Sequence, residues 1–195
     1  MSQTARPLSA RKQELLERAY SYVLEQGLAS LSLRPLAAAI GSSPRVLLFL
    51  FGSKEELIKA LLARARNDEL DFLARTRAQA QGIGERGDLA ATVRVIWHWL
   101  SGEPTRPLLK LWVEAYARST AEPDGPWGPF ARQTVEDWLA LLTAVQPEGA
   151  TATTAAAERT LALAVLRGAL LDLLATGDLE RVTSAIEHYL RLAKG

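Results

Sequence analysis

The sequence predicts an all-α fold, with a small N-terminal three-helix unit followed by a larger C-terminal helical domain. Composition is the first reason: the chain is 48% hydrophobic and rich in alanine and leucine, which are strong helix formers. Periodicity is the second, because apolar residues recur at spacings of three and four along most of the 195 residues. The third is that turns containing glycine and proline separate these segments.

Three short helices are predicted in the N-terminal third. After an arm of residues 1–8, apolar spacing predicts a first helix over residues 9–26, which a glycine ends. Ser32 suits the N-cap of a second helix that Gly41 ends. A third helix is predicted over residues 44–51, since proline is favoured at a first helical position.

A long fourth helix follows, and the C-terminal part adds five more. Ser53 and Glu56 have the spacing of a capping box, and helical periodicity then continues to about residue 81. The later helices are predicted over about residues 89–101, 108–119, 130–145, 153–175 and 179–193. The helix 153–175 is apolar on nearly all sides, so it is either the centre of the domain or part of an oligomer interface.

Charge is distributed unevenly along a chain whose net charge is +1. Residues 1–66 hold ten Lys and Arg against five Asp and Glu, whereas the remainder holds 13 against 17. The basic first third therefore suits a polyanion such as nucleic acid. The chain has no cysteine, which excludes disulfides and thiolate metal sites. Because it also lacks a signal-like or membrane-spanning apolar run, a cytoplasmic protein is expected.

No pattern typical of catalysis or of metal binding occurs in the sequence. HExxH, GxSxG and glycine-rich phosphate-binding patterns are all missing. We therefore predict no catalytic residue, no metal and no cofactor, and a protein that is not an enzyme.

A specific order of short motifs runs through residues 11–58. EQG ends the first helix, LSLRPLAAAIG forms the second, and a serine-rich turn, xLxxxF and GSKEEL follow. In this order they resemble the TetR family of transcriptional regulators, as does GALLDLLATGDLERV near the C-terminus. The resemblance implies a helix-turn-helix in residues 1–53 whose helix 44–51 lies in the major groove of double-stranded operator DNA. It implies effector binding and dimerisation in residues 54–195.

The resemblance also implies which residues touch DNA. Arg34 and Arg45 can donate bidentate hydrogen bonds to guanine, whereas Lys54 and the serines suit phosphate oxygens. Three further cations near the N-terminus can reach a phosphate or the minor groove: Arg6, Arg11 and Lys12. The predicted DNA-binding residues are Ser32, Arg34, Ser42, Ser43, Pro44, Arg45, Phe49, Leu50 and Lys54.

The third helix departs from the family pattern. Relatives carry a tyrosine and one or two histidines where this chain has Leu48, Phe49 and Leu50, and in some relatives the tyrosine stands at the position of Phe49. A phosphate contact is therefore expected to be missing. Three consequences remain open: apolar contact with thymine methyls, weak binding to phosphate, and partial loss of DNA binding. The residues expected to face the core of the three-helix unit are Val46, Leu47 and Phe51.

An effector pocket is predicted from the distribution of aromatic residues. All five tryptophans lie within residues 97–138, and aromatic clusters between helices line apolar cavities, although they also fill ordinary cores. Three polar residues in apolar stretches were candidates to orient a ligand: His98, Glu114 and Arg167. The predicted ligand-binding residues are Trp97, His98, Leu100, Trp112, Tyr116, Phe130, Trp138 and Arg167.

These features predict a homodimeric regulator, most simply a repressor that leaves a palindromic operator when a small apolar or aromatic molecule binds. Its last two helices resemble the hairpin that forms the dimer in the TetR family, and small residues such as Gly168 permit close approach of helices. The alternative is a helical small-molecule-binding protein or enzyme whose N-terminal helices no longer read DNA. Steep salt dependence of duplex binding would distinguish the two hypotheses.

Overall fold

The computed structural model describes residues 5–28, 31–82, 89–146 and 151–193, with the backbone alone for residues 5–9 and 79–82. Every regular element in this part of the chain is a helix, and 3₁₀ geometry is confined to a turn at Glu103–Thr105. The predicted all-α fold is therefore confirmed. The α-helices are α1 Ala5–Gln26, α2 Leu33–Ala39, α3 Pro44–Phe51, α4 Lys54–Gly82, α5 Leu89–Leu100, α6 Arg106–Ala121, α7 Phe130–Val145, α8 Ala152–Thr176 and α9 Leu179–Leu192.

Local capping determines the ends of α3 and the start of α4. The hydroxyl of Ser43 accepts the backbone N–H of Val46 at 3.3 Å, and Gly52 ends α3 with φ at +89°, where residues other than glycine are strained. Ser53 then accepts the N–H of Glu56 at 3.1 Å, as the capping-box spacing predicts. Helix α1 begins at Ala5, four residues before its predicted start.

The first compact unit comprises Met1–Asp68 and Pro107–Ala131. Its core brings together one apolar face from each of α1, α2 and α3, which pack against one another, and the first part of α4. Buried side chains at helical spacing form these faces. They include Leu15, Ala19 and Val23 of α1, Leu36 of α2, Leu47 and Phe51 of α3, and Leu57 and Leu61 of α4.

The boundary predicted between residues 53 and 54 coincides with the boundary of neither unit. Leu57 and Leu61 of α4 continue the apolar face that packs on the three N-terminal helices, so the core does not stop at Gly52. Helix α6 adds Leu111 and Ala115 to the same core, far along the chain. The division into a DNA-binding part, residues 1–53, and a ligand-binding and dimerisation part, residues 54–195, stays a prediction.

The second compact unit comprises Glu69–Arg106 and Arg132–Gly195. Helix α8 packs against both α5 and α9. The α8–α9 turn is well capped, because Gly177 has φ at +70° and the Asp178 carboxylate accepts the N–H of Arg181 at 3.0 Å. Arg181 also forms an ion pair with Asp172 of α8, with 2.6 Å between Nη2 and Oδ1, which joins the two helices beside the turn.

Membrane-spanning potential is low in the part of the chain that the structure describes. No single helix there is both long and apolar enough to cross a bilayer. The pair α2 and α3 reaches the required length and composition only together, across a bend of 100°.

Candidate DNA-binding and effector sites

Helices α2 and α3 form a helix-turn-helix that packs on α1. The turn between them passes through Gly41, whose φ of +66° is the left-handed conformation that glycine adopts without strain. Arg18 of α1 closes the end of α2 by donating a hydrogen bond to the carbonyl of Ile40 at 3.3 Å. Leu47 and Phe51 of α3 are buried on the inner side, so the opposite side of α3 is left for a partner.

The outer side of α3 differs from the predicted one at two positions. Val46, expected in the core, is 38% exposed, whereas Leu50, expected to reach DNA, is half-buried against the core. Helix α3 therefore turns its inner face toward positions 47, 50 and 51. The prediction failed because six consecutive apolar residues fit several helical phases equally well.

Leu48 and Phe49 lie on the outer side of α3. Leu48, which the sequence analysis did not assign to DNA binding, is 40% exposed, and Phe49 is 74% exposed. Arg45 is exposed one turn earlier on the same helix. We call the three residues Val46, Leu48 and Phe49 the α3 apolar surface.

The predicted polar DNA contacts have different accessibilities. Arg34 and Arg45 are exposed, and neither forms an ion pair with another described residue. Ser32 is exposed at the N-cap of α2, and its side chain makes no capping hydrogen bond. Pro44 and Lys54 are half-buried at the starts of α3 and α4. Among these residues, the two arginines are the freest to form hydrogen bonds with DNA.

The two turn serines have different surroundings. Ser43 is half-buried, and its hydroxyl oxygen is already the cap acceptor for α3. The hydroxyl oxygen of Ser42 is buried and has no hydrogen-bond partner among the described residues. A buried oxygen cannot reach a phosphate without a local rearrangement, so the predicted DNA contact at Ser42 does not fit this structure.

Cations of the predicted arm lie on α1. Arg11 is paired with Glu14, with 2.7 Å between Nη1 and Oε2, and this contact holds the pKa of Glu14 below its usual range. Lys12 lies over the ring of Phe51, with Nζ 5.1 Å from the ring centroid. The side chain of Arg6 lies outside the described residues. Of the two described cations, Lys12 is the one that contacts α3.

A polar network joins α1 to α4 within the first unit. Arg64 of α4 donates to Glu17 at 2.9 Å and to Asp68, and its guanidinium lies 4.8 Å from the ring centroid of Tyr20. The Tyr20 hydroxyl donates to Asp68 at 2.8 Å. Burial, and then the hydrogen bond to Asp68, raise the pKa of Tyr20, while the hydrogen bond to Asp68 raises the pKa of Arg64. This network fixes the orientation of α4 against α1.

Helix α6 makes a second contact with α1. The Glu114 carboxylate accepts the backbone N–H of Leu28, just beyond the end of α1, at 2.8 Å. An aromatic cluster joins this helix to the start of α7: the ring centroid of Trp112 is 5.3 Å from that of Tyr116 on α6 and 6.5 Å from that of Phe130 on α7. Glu114 was predicted to orient a ligand, but its Oε2 accepts this hydrogen bond from the backbone between α1 and α2.

The second unit has an aromatic cluster of its own. Phe72 of α4 stacks on Trp99 of α5 at 4.1 Å between centroids, and both rings lie near Trp138 of α7. The Trp138 indole N–H donates to the carboxylate of Glu69, which is 2% exposed. This combination of a half-buried stack and a buried carboxylate was missed because Glu69 and Phe72 lie outside the tryptophan-rich stretch.

The predicted pocket residues are therefore divided between the two compact units. Trp112, Tyr116 and Phe130 belong to the first unit, and the other five belong to the second. Trp97 is buried, and its indole N–H donates to Thr183 of α9 at 3.0 Å. The remaining three lie as follows: Leu100 buried, Arg167 half-buried on α8, and His98 exposed on α5. His98 lies between buried Trp97 and half-buried Trp99 on α5, and its predicted contact with a ligand stays a prediction.

The outer side of α8 carries a regular apolar stripe. Leu161, Ala164, Gly168 and Leu171 are all exposed, and their alternating spacing of three and four is that of a helix–helix seam. Val182, Ile186 and Leu190 of α9 are buried within the unit. They therefore hold α9 to its own chain, and the four exposed residues, which we call the α8 stripe, are available to a partner.

Comparisons with known proteins agree with this geometry. A family described as bacterial regulatory proteins, tetR family, matches residues 15–61. The chain is similar to the multidrug binding protein EbrR in complex with proflavin, with a TM-score of 0.67 and 27% identity over 93% of this chain and 99% of that one. The EbrR complex with imidazole gives 0.64 and 26% over 92% and 89%.

A lower-identity structure has the same fold. A TetR transcription regulator from Haloarcula marismortui has a TM-score of 0.67 at 20% identity, over 92% of this chain and 94% of that chain. No curated protein matches the sequence.

A helix-turn-helix with an exposed basic face, followed by a helical domain, defines a DNA-binding transcription factor. Residues 15–61 match the tetR family of bacterial regulatory proteins, and the chain has the fold of solved TetR regulators. Members of this family are transcription factors and not enzymes. An enzyme is thereby set aside, whereas the other alternative, a helical small-molecule-binding protein whose N-terminal helices no longer read DNA, stays a hypothesis.

Proposed function

We propose that this chain is a homodimeric repressor that binds a palindromic operator and leaves it when an aromatic effector binds. The observation that carries the proposal is the pair of exposed arginines, Arg34 and Arg45, on the helix-turn-helix, neither of which is neutralised by another described residue. Uncompensated arginines on α2 and α3 suit phosphates and guanine edges. Because its target is operator DNA, the dimer is proposed to act in the cytoplasm.

The α8 stripe supports the homodimer. Two copies of α8 can approach closely where Ala164 and Gly168 leave room, with Leu161 and Leu171 packing on either side. Two copies are also needed for useful specificity, since one recognition helix reads only a few base pairs.

The effector is proposed to bind at the aromatic cluster of the second unit. Trp99 and Phe72 offer a stacking surface, and Glu69 supplies a buried polar anchor beside Trp138. Its similarity to EbrR, which has been crystallised with proflavin and malachite green, supports an aromatic ligand. The carboxylate on the helix of the cluster around Trp112 is less buried, since Glu114 is half-buried and binds the backbone of Leu28, whereas Glu69 is 2% exposed.

Helix α4 is proposed to couple the two activities. Glu69 and Phe72 of the effector cluster lie within about one turn of Asp68, which belongs to the network joining α4 to α1. An effector that displaces Phe72 would therefore turn α4, and with it the two recognition helices of the dimer. Operator affinity would fall because the spacing of the recognition helices no longer matches two successive major grooves.

Selection of genomic fragments by the purified protein tests DNA binding first. The expected result is enrichment of one palindromic sequence whose affinity falls steeply as salt rises. Enrichment of no fragment would refute the proposal.

Proflavin then serves as a probe of the effector site. Trp99→Leu should weaken proflavin binding about 10-fold, the loss expected for one aromatic stack, and should leave operator affinity in the absence of dye unchanged. Trp112→Leu is the matched control and should bind proflavin normally. If Trp112→Leu weakened proflavin binding and Trp99→Leu did not, the effector site would be the aromatic cluster of the first unit.

The coupling step has a separate test at Tyr20. Tyr20→Phe removes the hydrogen bond to Asp68 but keeps the ring against Arg64. Proflavin affinity should be unchanged, while the drop in operator affinity caused by the dye should shrink about threefold to fivefold. An unchanged drop would show that the coupling does not pass through this network.

A further inference from the structure

The α3 apolar surface is unusual for the exposed side of a short helix. Val46, Leu48 and Phe49 are 38%, 40% and 74% exposed, and they are adjacent on one helix of eight residues. Single exposed apolar residues need no explanation, but a contiguous group of them marks a site of contact. Folding does not require these side chains, because Leu47, Leu50 and Phe51 already hold α3 to the core.

The charges around this surface indicate the kind of partner. Arg45 precedes it on the same helix and is exposed, and Arg34 is exposed on the neighbouring α2. Helix α3 itself carries no acidic residue. A polyanion that also presents an apolar group between its charges suits this combination of residues.

Duplex DNA has such a group in its major groove. The C5 methyl of thymine is the apolar feature on the base edges there, and apolar side chains recognise it by contact. A residue three or four positions after Arg45 lies about 5 Å further along the helix. Base pairs are about 3.4 Å apart, so Leu48 and Phe49 can reach bases within about two pairs of the one that Arg45 contacts.

We propose that Leu48 and Phe49 read thymine by packing on its methyl group, so that each operator half-site holds thymine beside the base pair contacted by Arg45. This inference rests on the proposed function, in which α2 and α3 bind operator DNA. It assigns sequence specificity to apolar contacts at positions where relatives use tyrosine and histidine, and it makes Phe49 and Leu48 specificity-determining residues.

Replacing thymine by deoxyuridine in the selected operator tests the inference, since it removes the methyl group and keeps every hydrogen-bonding atom. One lost methyl contact corresponds to about fourfold in affinity. A palindrome with one such thymine in each half-site should therefore bind the wild-type protein roughly 15-fold more weakly after substitution. Fluorescence anisotropy at a fixed salt concentration measures both dissociation constants.

Two variants assign the methyl contact to residues. Phe49→Ala and Leu48→Ala should bind the thymine operator more weakly, and each should lose less than the wild type does when deoxyuridine is introduced. Both residues are exposed, so the variants are expected to fold. Val95→Ala, at an exposed apolar residue of α5, is the matched control and should keep the full difference between the two operators.

Four results would overturn the inference in distinguishable ways. If the wild type binds thymine and deoxyuridine operators equally, methyl readout is wrong while DNA binding stands. The assignment to Phe49 and Leu48 is wrong if both alanine variants keep the full difference. A change of Phe49→Ala from dimer to monomer in sedimentation would show that the surface joins protein copies instead. Failure to bind any operator would refute the proposed function, and the inference with it.

Discussion

The α3 apolar surface and the α8 stripe are both exposed and apolar, yet their neighbours differ. On α3, large side chains such as Phe49 stand beside Arg45, on a helix with no acidic residue. On α8, Leu161 and Leu171 alternate with Ala164 and Gly168 at the spacing of a helix–helix seam. Contiguous apolar exposure marks a candidate contact surface, and the neighbouring residues indicate the kind of partner. Flanking cations suit a polyanion, whereas small residues at regular spacing suit another helix.

The largest expected effect comes from breaking the α8 stripe. Leu171→Glu places a charge at a position that is 52% exposed in one chain, so the fold should tolerate it. In the dimer that charge would be buried without a partner, which costs several kcal/mol. We expect the sedimenting mass to halve and operator affinity to fall at least 100-fold, roughly, because only one half-site is then held by each molecule.

Val95→Glu is the control for this substitution, since Val95 is an exposed apolar residue of α5 outside the stripe. It should leave both the mass and operator affinity unchanged. A Leu171→Glu protein that stays dimeric would place the dimer interface elsewhere.

A charge on the α3 apolar surface should have a smaller and different effect. Phe49→Glu removes an apolar contact and brings a negative charge toward phosphates, so operator affinity should fall about 10- to 50-fold. Sedimentation and the melting temperature should be those of the wild type, because the side chain is not part of the core. If Phe49→Glu were monomeric in sedimentation but kept its operator affinity, the α3 apolar surface, and not the α8 stripe, would be the dimer interface.

Adding a hydroxyl at the same position should act in the opposite direction. Phe49→Tyr restores the group that some relatives carry there, on a ring that already points outward. One new hydrogen bond to a phosphate should tighten operator binding about fivefold. The salt dependence of binding should change little, since tyrosine brings no charge. Unchanged affinity would mean that the ring does not lie against the DNA backbone.

The sequence predicts the helices well because their ends depend on neighbouring residues. Ser43, Gly52 and Ser53 act within a turn of the helices that they bound, so the predicted limits of α3 and the start of α4 agree with the structure. Helical phase is harder to predict. In the apolar run from Val46 to Phe51, burial of position 46 or of position 50 fits the pattern equally well, and the rest of the unit decides.

The grouping of distant residues could not be predicted in the same way. Glu114 contacts Leu28 across 86 positions, which draws α6 into the unit of the helix-turn-helix. The tryptophans are neighbours in sequence, yet Trp112 and Trp138 belong to different aromatic clusters. Glu69 of the proposed effector site lies outside the tryptophan-rich stretch, and the burial that makes it a candidate is visible only in the structure.

The smallest expected effect is that of Gly168→Ala, which tests whether the α8 stripe faces solvent or packs against a partner helix. A Cβ added at Gly168 contacts nothing within 4 Å in the single chain. Gly168→Ala should therefore raise the free energy of unfolding by up to about 1 kcal/mol, because alanine is the better helix former. Measured in the monomeric Leu171→Glu background, this gain should appear in full. In the dimer, the extra methyl should hold the two α8 helices apart and raise the dissociation constant severalfold. Stabilisation of both monomer and dimer would show that Gly168 does not pack against the partner's α8.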